Sequence, residues 1–206
     1  MVFRTIMDNI SFKSRIILTS PSGYKRAAMR IPAKNFINYP WTPAQGVLAE
    51  SVATSDVFDC EFVGITNGQK ILGGHFDPLN KINQAFSNIK NFLDKNIKEM
   101  GDKANLQAVI IGGKAPCIAG EDSYKQIKKT QEYLESEKIP YSIFAGGMGK
   151  RDICYSSQKD EFIIGADIVN DFDPYKKMSA EEAFKKVFNI VKVSENDEII
   201  FQKTWF

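Results

Sequence analysis

Thr54-Ser-Asp-Val-Phe-Asp-Cys60-Glu-Phe-Val-Gly-Ile-Thr-Asn67-Gly68-Gln-Lys-Ile-Leu-Gly-Gly-His75 is the stretch on which the reading of this chain turns. Two apolar runs, Phe62 to Ile65 and Ile71 to Leu72, flank Asn67-Gly68, the strongest short signal for a two-residue type I′ hairpin turn. With that turn Thr66 pairs with Gln69, and counting outward pairs Cys60 with His75. Directly opposed residues share a face of the sheet, with Cβ atoms roughly 4.5–5.5 Å apart. A thiol and an imidazole then come within hydrogen-bond reach, the geometry of an activated cysteine nucleophile. Gly64, Gly73 and Gly74 permit a β-bulge, and a one-residue slip would send the two side chains to opposite faces.

Outward from the hairpin, strand and helix signals alternate. Arg15 to Thr19 reads as a strand ended by the turn cluster Ser20-Pro21-Ser22-Gly23. Ile82, Phe86, Ile89, Phe92, Leu93, Ile97 and Met100 recur at helical spacing, and Gly101 stops the run, which predicts an amphipathic helix over 81–100. Leu106 to Gly113 reads as a buried strand, 123–137 as a helix closed by Ile139-Pro140, and Tyr141 to Phe144 as the next strand. Asp152 to Tyr155 pairs with Glu161 to Ile164 through a polar turn. Ser179-Ala-Glu-Glu182 is a capping box that opens a helix over Phe184, Val187, Phe188 and Val191, followed by a strand at Glu198 to Phe201. The pattern predicts one α/β (α+β) layered domain over 1–206, with mixed and antiparallel sheets flanked by helices. Its core spans about 50–165, between an N-terminal extension, 1–45, and a C-terminal helix–strand extension, 170–206.

Composition removes several function classes. The 27 Lys and Arg residues nearly balance 25 Asp and Glu residues, for a net charge of +2, so neither nucleic acid nor an anionic membrane is indicated as a partner. Three cysteines without a CxxC pair argue against a disulfide framework and for a reducing compartment. No long uncharged apolar run suggests a membrane span, and the first residues lack a signal peptide's apolar core. These readings indicate a cytoplasmic chain, or export without a cleaved signal.

Rival site readings are weaker. A free cysteine is most often a small buried hydrophobe, the reading for Cys117 and Cys154. Cys60 stands apart because its expected neighbour is the only histidine in the chain. Zinc at Cys60, His75, Cys117 and Cys154 lacks the short paired ligand spacing of structural sites. Gly146-Gly147-Met-Gly149-Lys150 fails as a P-loop, because position 144 is Phe and no Ser or Thr follows the lysine.

Thr54 six residues before Cys60, then Gly73-Gly74-His75, resembles the CheD family of chemoreceptor glutamine deamidases. The resemblance continues through Val109-Ile-Ile-Gly112-Gly113 and Gly146-Gly147-Met-Gly149-Lys150-Arg151, covering about residues 50 to 165 in order. The same logic is found in deamidating toxins similar to CheD, such as the catalytic domain of the cytotoxic necrotising factors. Phe58-Asp59 stands where the family has Gly-Ser, and Phe76-Asp77-Pro78 where it has a Leu-Pro ending. The resemblance implies a cysteine-dependent protein-glutamine deamidase with Cys60 as nucleophile, His75 as acid and base, and Thr54 orienting the ring, needing neither metal nor organic cofactor. The implied partner is a protein carrying a glutamine, in a chemoreceptor or in the host of an exported effector. A CheD-shaped binding module without turnover and another Cys-His hydrolase, such as a transglutaminase, are the alternatives.

Overall fold

The structure, a computed structural model, describes residues 14–37, 44–78, 82–113, 121–147, 149–167, 180–195 and 197–202. Its strands are β1 (Arg15–Thr19), β2 (Phe36–Ile37), β3 (Ala44–Ala49), β4 (Ser51–Val57), β5 (Glu61–Thr66), β6 (Ile71–Phe76), β7 (Gln107–Gly112), β8 (Tyr141–Ala145), β9 (Lys150–Ser156), β10 (Glu161–Asp167), β11 (Ile190–Lys192) and β12 (Glu198–Phe201). Its helices are α1 (Pro21–Ala28), α2 (Ile82–Asn96), α3 (Glu121–Ser136) and α4 (Ala180–Val187).

The strands form two mixed six-stranded sheets. Sheet A runs β12-β1-β10-β9-β4-β2 and sheet B runs β11-β8-β7-β5-β6-β3. Alternation along each strand gives each sheet two apolar faces, one for its partner sheet and one for helices. Val52, Val57, Phe62, Ile71, Ile111, Phe144, Tyr155 and Phe162 meet between the sheets. Val63, Ile65, Leu72 and Ile110 instead pack beneath Ile89 and Leu93 of α2 and Leu134 of α3. On the outer face of sheet A, Tyr24 and Ala28 of α1 cover Ala53 and Cys154. Each large apolar side chain so buried contributes about 1.5–3 kcal/mol. The layers are helix, sheet, sheet, helix, the mixed α/β domain that the alternating pattern predicts. Among the described residues no helix is long and apolar enough to cross a membrane.

Besides the C-terminal helix, which stops at Val187 so that Val191 lies instead in β11 alongside β8, three expectations change. The Ser20-Pro21-Ser22-Gly23 cluster starts α1 rather than making a turn: Ser20 caps the helix by accepting the Gly23 N–H at 3.3 Å, with Pro21 at its first position. β1, within the N-terminal extension, lies inside sheet A, parallel to both β10 and β12. The third change is the hairpin register. Thr66 pairs with Ile71, not Gln69, and the connection is the four-residue loop 67–70. Asn67 Oδ1 accepts the N–H groups of Gln69 at 3.0 Å and Lys70 at 2.9 Å, and Thr66 Oγ1 accepts the Gly68 N–H at 2.9 Å. These side-chain acceptors stabilise the longer loop, in which Asn67 turns the chain through its own carbonyl. Cys60 is therefore not opposite His75, whose partner is Phe62.

Candidate functional site

The register moves by two positions, so the face is kept. Phe62 and His75 are opposed, Cys60 lies two residues from Phe62, and all three point between the sheets. Cys60 and His75 become diagonal neighbours, a relation spanning roughly 7–8 Å between backbones and within reach of longer side chains. Continuing the register sets Asp77 across from Cys60.

Thr54 comes from the other sheet. β4 pairs with β9, and the register breaks between Thr54 and Val57. Asp56, inside this bulge, has a φ of 58°, a left-handed conformation. Its N–H donates to Asp152 Oδ1 at 3.0 Å, and its carboxylate meets Lys150 Nζ at 3.0 Å. The extra residue lets Thr54 and Val57, three apart, both face the inter-sheet layer. The Tyr24 hydroxyl donates to the Thr54 carbonyl at 2.9 Å, fixing its backbone from α1.

Across the sheets, Thr54 Oγ1 lies 2.8 Å from His75 Nδ1 and 3.0 Å from the Ile37 carbonyl oxygen. A carbonyl only accepts, so it takes the threonine's hydroxyl proton, and Nδ1–H donates to Oγ1. The imidazole is held as the Nδ1–H tautomer, with the basic lone pair on Nε2. A second polar bridge, Thr66 Oγ1 to Tyr155 Oη at 2.7 Å, links the sheets at the far end of the hairpin.

The loop bearing Cys60 is held by its carbonyls. Arg151 Nη1 donates to Phe58 at 3.1 Å, Ser123 Oγ to Asp59 at 2.8 Å, and the Gly113 N–H to Cys60 at 2.9 Å. Three consecutive peptide units are thus pinned by β9, α3 and the end of β7. Gly112 is required there: its φ is 125°, and a Cβ would run into the Cys60 carbonyl oxygen. Arg151 is fully buried and also donates to the carbonyls of Gly113, Gly146 and Val187. Val187 is the last residue of α4, whose C-terminal carbonyls favour a cation.

Cys60 is 7% exposed, His75 0% and Thr54 1%, so all three are buried and the thiol is the most accessible of them. Burial pushes the Cys60 thiol up to about 12, and the carboxylates of Asp77 and Asp59 add to the effect. Burial holds His75 down to about 4, although Asp77 and Asp56 favour its charged form. At neutral pH the thiol and the imidazole each rest neutral, not as the ion pair expected of an activated cysteine. Asp77 opposes the thiolate and favours the imidazolium.

Of the residues singled out in the sequence, Thr54 and His75 touch, and Cys60 shares their inter-sheet layer. Cys154 lies under α1 on the opposite face of sheet A, away from the cluster, and Cys117 lies outside the described residues. Among the described residues no group of three His, Cys, Asp or Glu side chains could hold a metal ion. Asp77, Ser123 and the structural role of Arg151 were missed. Arg151 belongs to the glycine-loop segment Gly146-Gly147-Met-Gly149-Lys150-Arg151, whereas a lone serine at a helix start gives no sequence signal for reaching a distant loop.

No family model matches the chain, and no curated protein matches it. One structural neighbour is a DUF152 protein. It is the crystal structure of Neisseria meningitidis protein NMB0706, similar at a TM-score of 0.35 and 11% sequence identity over 66% of this chain. The match spans 63% of that protein's chain, less than two thirds of its length.

Proposed function

We propose that the chain is a cysteine-dependent protein-glutamine deamidase with Cys60 as nucleophile, His75 as general base and acid, and Thr54 as the residue that orients the imidazole. The observation that carries this reading is the Thr54–His75 contact, which directs the imidazole's lone pair to Nε2 within the layer that holds Cys60.

Because thiol and imidazole rest neutral, activation accompanies attack. His75 Nε2 takes the thiol proton as Sγ adds to the side-chain carbonyl carbon of glutamine. The imidazolium formed is stabilised by Thr54 through Nδ1–H and by the nearby Asp77 charge, the same supports that an orienting acid gives a triad histidine. It then protonates the departing nitrogen as the C–N bond breaks, releasing ammonia and leaving a thioester. Water, deprotonated by neutral His75, attacks the thioester carbonyl; the C–S bond breaks, glutamate leaves, and the thiol recovers its proton.

The test is ammonia release, with a gain of about 1 Da at a glutamine, from candidate protein substrates including chemoreceptor fragments and host-cell lysate. Activity lost in Cys60→Ala and in His75→Ala, with folding retained, supports the reading. Full activity in Cys60→Ala overturns it.

The burial of Cys60 favours a second reading, a binding module of the same shape without turnover. Stable capture of a glutamine-bearing protein with neither ammonia nor thioester formed would favour it.

A further inference from the structure

Asp77 directly follows β6, and its place follows from local rules. Pro78 comes next, and the residue before a proline is held extended, so the alternation of β6 carries through position 77. Phe76 packs on the helix side of sheet B, whereas His75 reaches across to Thr54 of sheet A. Asp77, two residues from His75, therefore shares the histidine's inter-sheet face. The register that pairs Phe62 with His75 and Glu61 with Phe76 then opposes Cys60 and Asp77. Both are buried. The electrostatics agree with this placement: after burial, Asp77 is the strongest influence raising the Cys60 pKa, and it is the strongest charge favouring the imidazolium of His75.

A carboxylate across from a thiol does not activate it, because it disfavours the thiolate. The other charges that act on the pair are also acidic: Asp59 adds to Asp77 at the thiol, and Asp56 adds to it at the imidazole. What such a group can do is choose the incoming molecule. A carboxylate only accepts hydrogen bonds. A carboxamide brings an NH2 group with two donors, whereas the carboxylate made from it brings none and carries a like charge. A buried polar group discriminates strongly between molecules with and without the matching partner. Opposed side chains stand roughly 4.5–5.5 Å apart at Cβ, so a carboxamide carbon against Sγ places its NH2 within reach of the facing carboxylate.

We propose that Asp77 is a specificity-determining residue of this site: it accepts a hydrogen bond from the amide nitrogen of an incoming glutamine side chain and excludes anionic side chains, the glutamate product included. The identity of the substrate rests on the deamidase reading; the selection itself is a property of the thiol's surroundings.

Iodoacetamide and iodoacetate test the selection without a substrate. They are of nearly equal size and alkylate by the same displacement, Sγ bonding to carbon as iodide leaves, but one carries a neutral carboxamide and the other a carboxylate. Both rates at Cys60 are followed by peptide mass spectrometry on the full chain at pH 8 and low ionic strength, where screening is weakest. The ratio of the iodoacetamide rate to the iodoacetate rate is expected to exceed that of free cysteine by roughly tenfold or more, and to fall to the free-cysteine ratio in Asp77→Asn. A wild-type ratio no higher than that of free cysteine, or one unchanged in Asp77→Asn, would overturn the proposal. If Asp77→Asn does not fold, Asp59→Asn decides: a high ratio retained there supports Asp77, and its loss assigns the selection to Asp59 and removes the proposal. Ammonia release is a separate measurement. If the ratio behaves as expected and no candidate protein yields ammonia, the deamidase reading fails and the selection against anions stands; ammonia release with an ordinary ratio has the reverse meaning.

Discussion

Thr54 Oγ1 and His75 Nδ1 lie 2.8 Å apart although they belong to different sheets, β4 of sheet A and β6 of sheet B. The bond holds the tautomer that a general base at Nε2 requires. Thr54→Ala leaves the Ile37 carbonyl and the Nδ1–H without their partner, at a stability cost of about 1–3 kcal/mol. It also frees the ring to turn, and such misplacement is expected to lower kcat for ammonia release by about 10²-fold. Thr54→Ser keeps the hydroxyl and should recover most of that loss. Equal activity in the alanine and serine variants would show that the threonine does not orient the base.

The neutral thiol–imidazole pair predicts an unusual response to pH. With the thiol pushed up to about 12, Cys60 should react with iodoacetamide roughly 10²-fold more slowly than a free thiol at pH 7, the scarcity of thiolate being partly offset by its greater nucleophilicity. Alkylation should still be climbing tenfold per pH unit at pH 9, where an ordinary thiol levels off. Turnover uses the neutral imidazole, so kcat/KM should persist down to an acid limb near pH 4. An acid limb near pH 6.5 would mean that His75 titrates as a solvated imidazole, and fast alkylation already levelling off below pH 7 would mean a preformed thiolate–imidazolium pair instead.

Local pattern and long-range closure were not equally legible in the chain. The period of Ile89, Phe92, Leu93, Ile97 and Met100 gave its helix because one face had to be apolar, and the face shared by Cys60 and His75 followed from alternation alone. The hairpin register did not follow. Asn67-Gly68 carries the same dipeptide in a two-residue and in a four-residue loop, and the choice is made by the side-chain bonds of Thr66 and Asn67 together with the Met100 carbonyl, which accepts from Asn67 Nδ2 at 2.7 Å. The error of two positions preserved the face only because two is the strand's own period. Equally invisible were the donors that fix the nucleophile loop, since Ser123 and Arg151 reach it from 64 and 93 residues away.

Arg151 is the most demanding of those donors. Its guanidinium is fully buried and serves carbonyls of Phe58, Gly113, Gly146 and Val187, joining four segments of the chain. Burial lowers its pKa to about 10, so it stays charged at neutral pH. Arg151→Lys keeps the charge but has no planar fork to reach four acceptors. We expect it to destabilise the fold by about 3 kcal/mol or more, read as a lower urea midpoint, and to raise the alkylation rate at Cys60 as the loop loosens. An unchanged midpoint would mean that these carbonyls do not depend on the guanidinium.

Glu61 and His75 pull stability in opposite directions with pH. His75 titrates at about 4 when folded against an ordinary value of 6.5, so the unfolded chain binds the extra proton between those values. Its contribution is present above pH 6.5 and is lost as the pH falls towards 4. Glu61 titrates at about 7 when folded against an ordinary 4.5, so here the folded chain binds the extra proton. Its contribution is present below pH 4.5 and is lost as the pH rises through 7. Glu61→Gln abolishes the second titration while keeping the side chain's shape. It should therefore gain stability over the wild type at pH 8, and the advantage should shrink or reverse at pH 5, as urea midpoints at the two pH values would record. An equal difference at both would mean that Glu61, although buried, ionises in the folded protein as readily as in the unfolded chain.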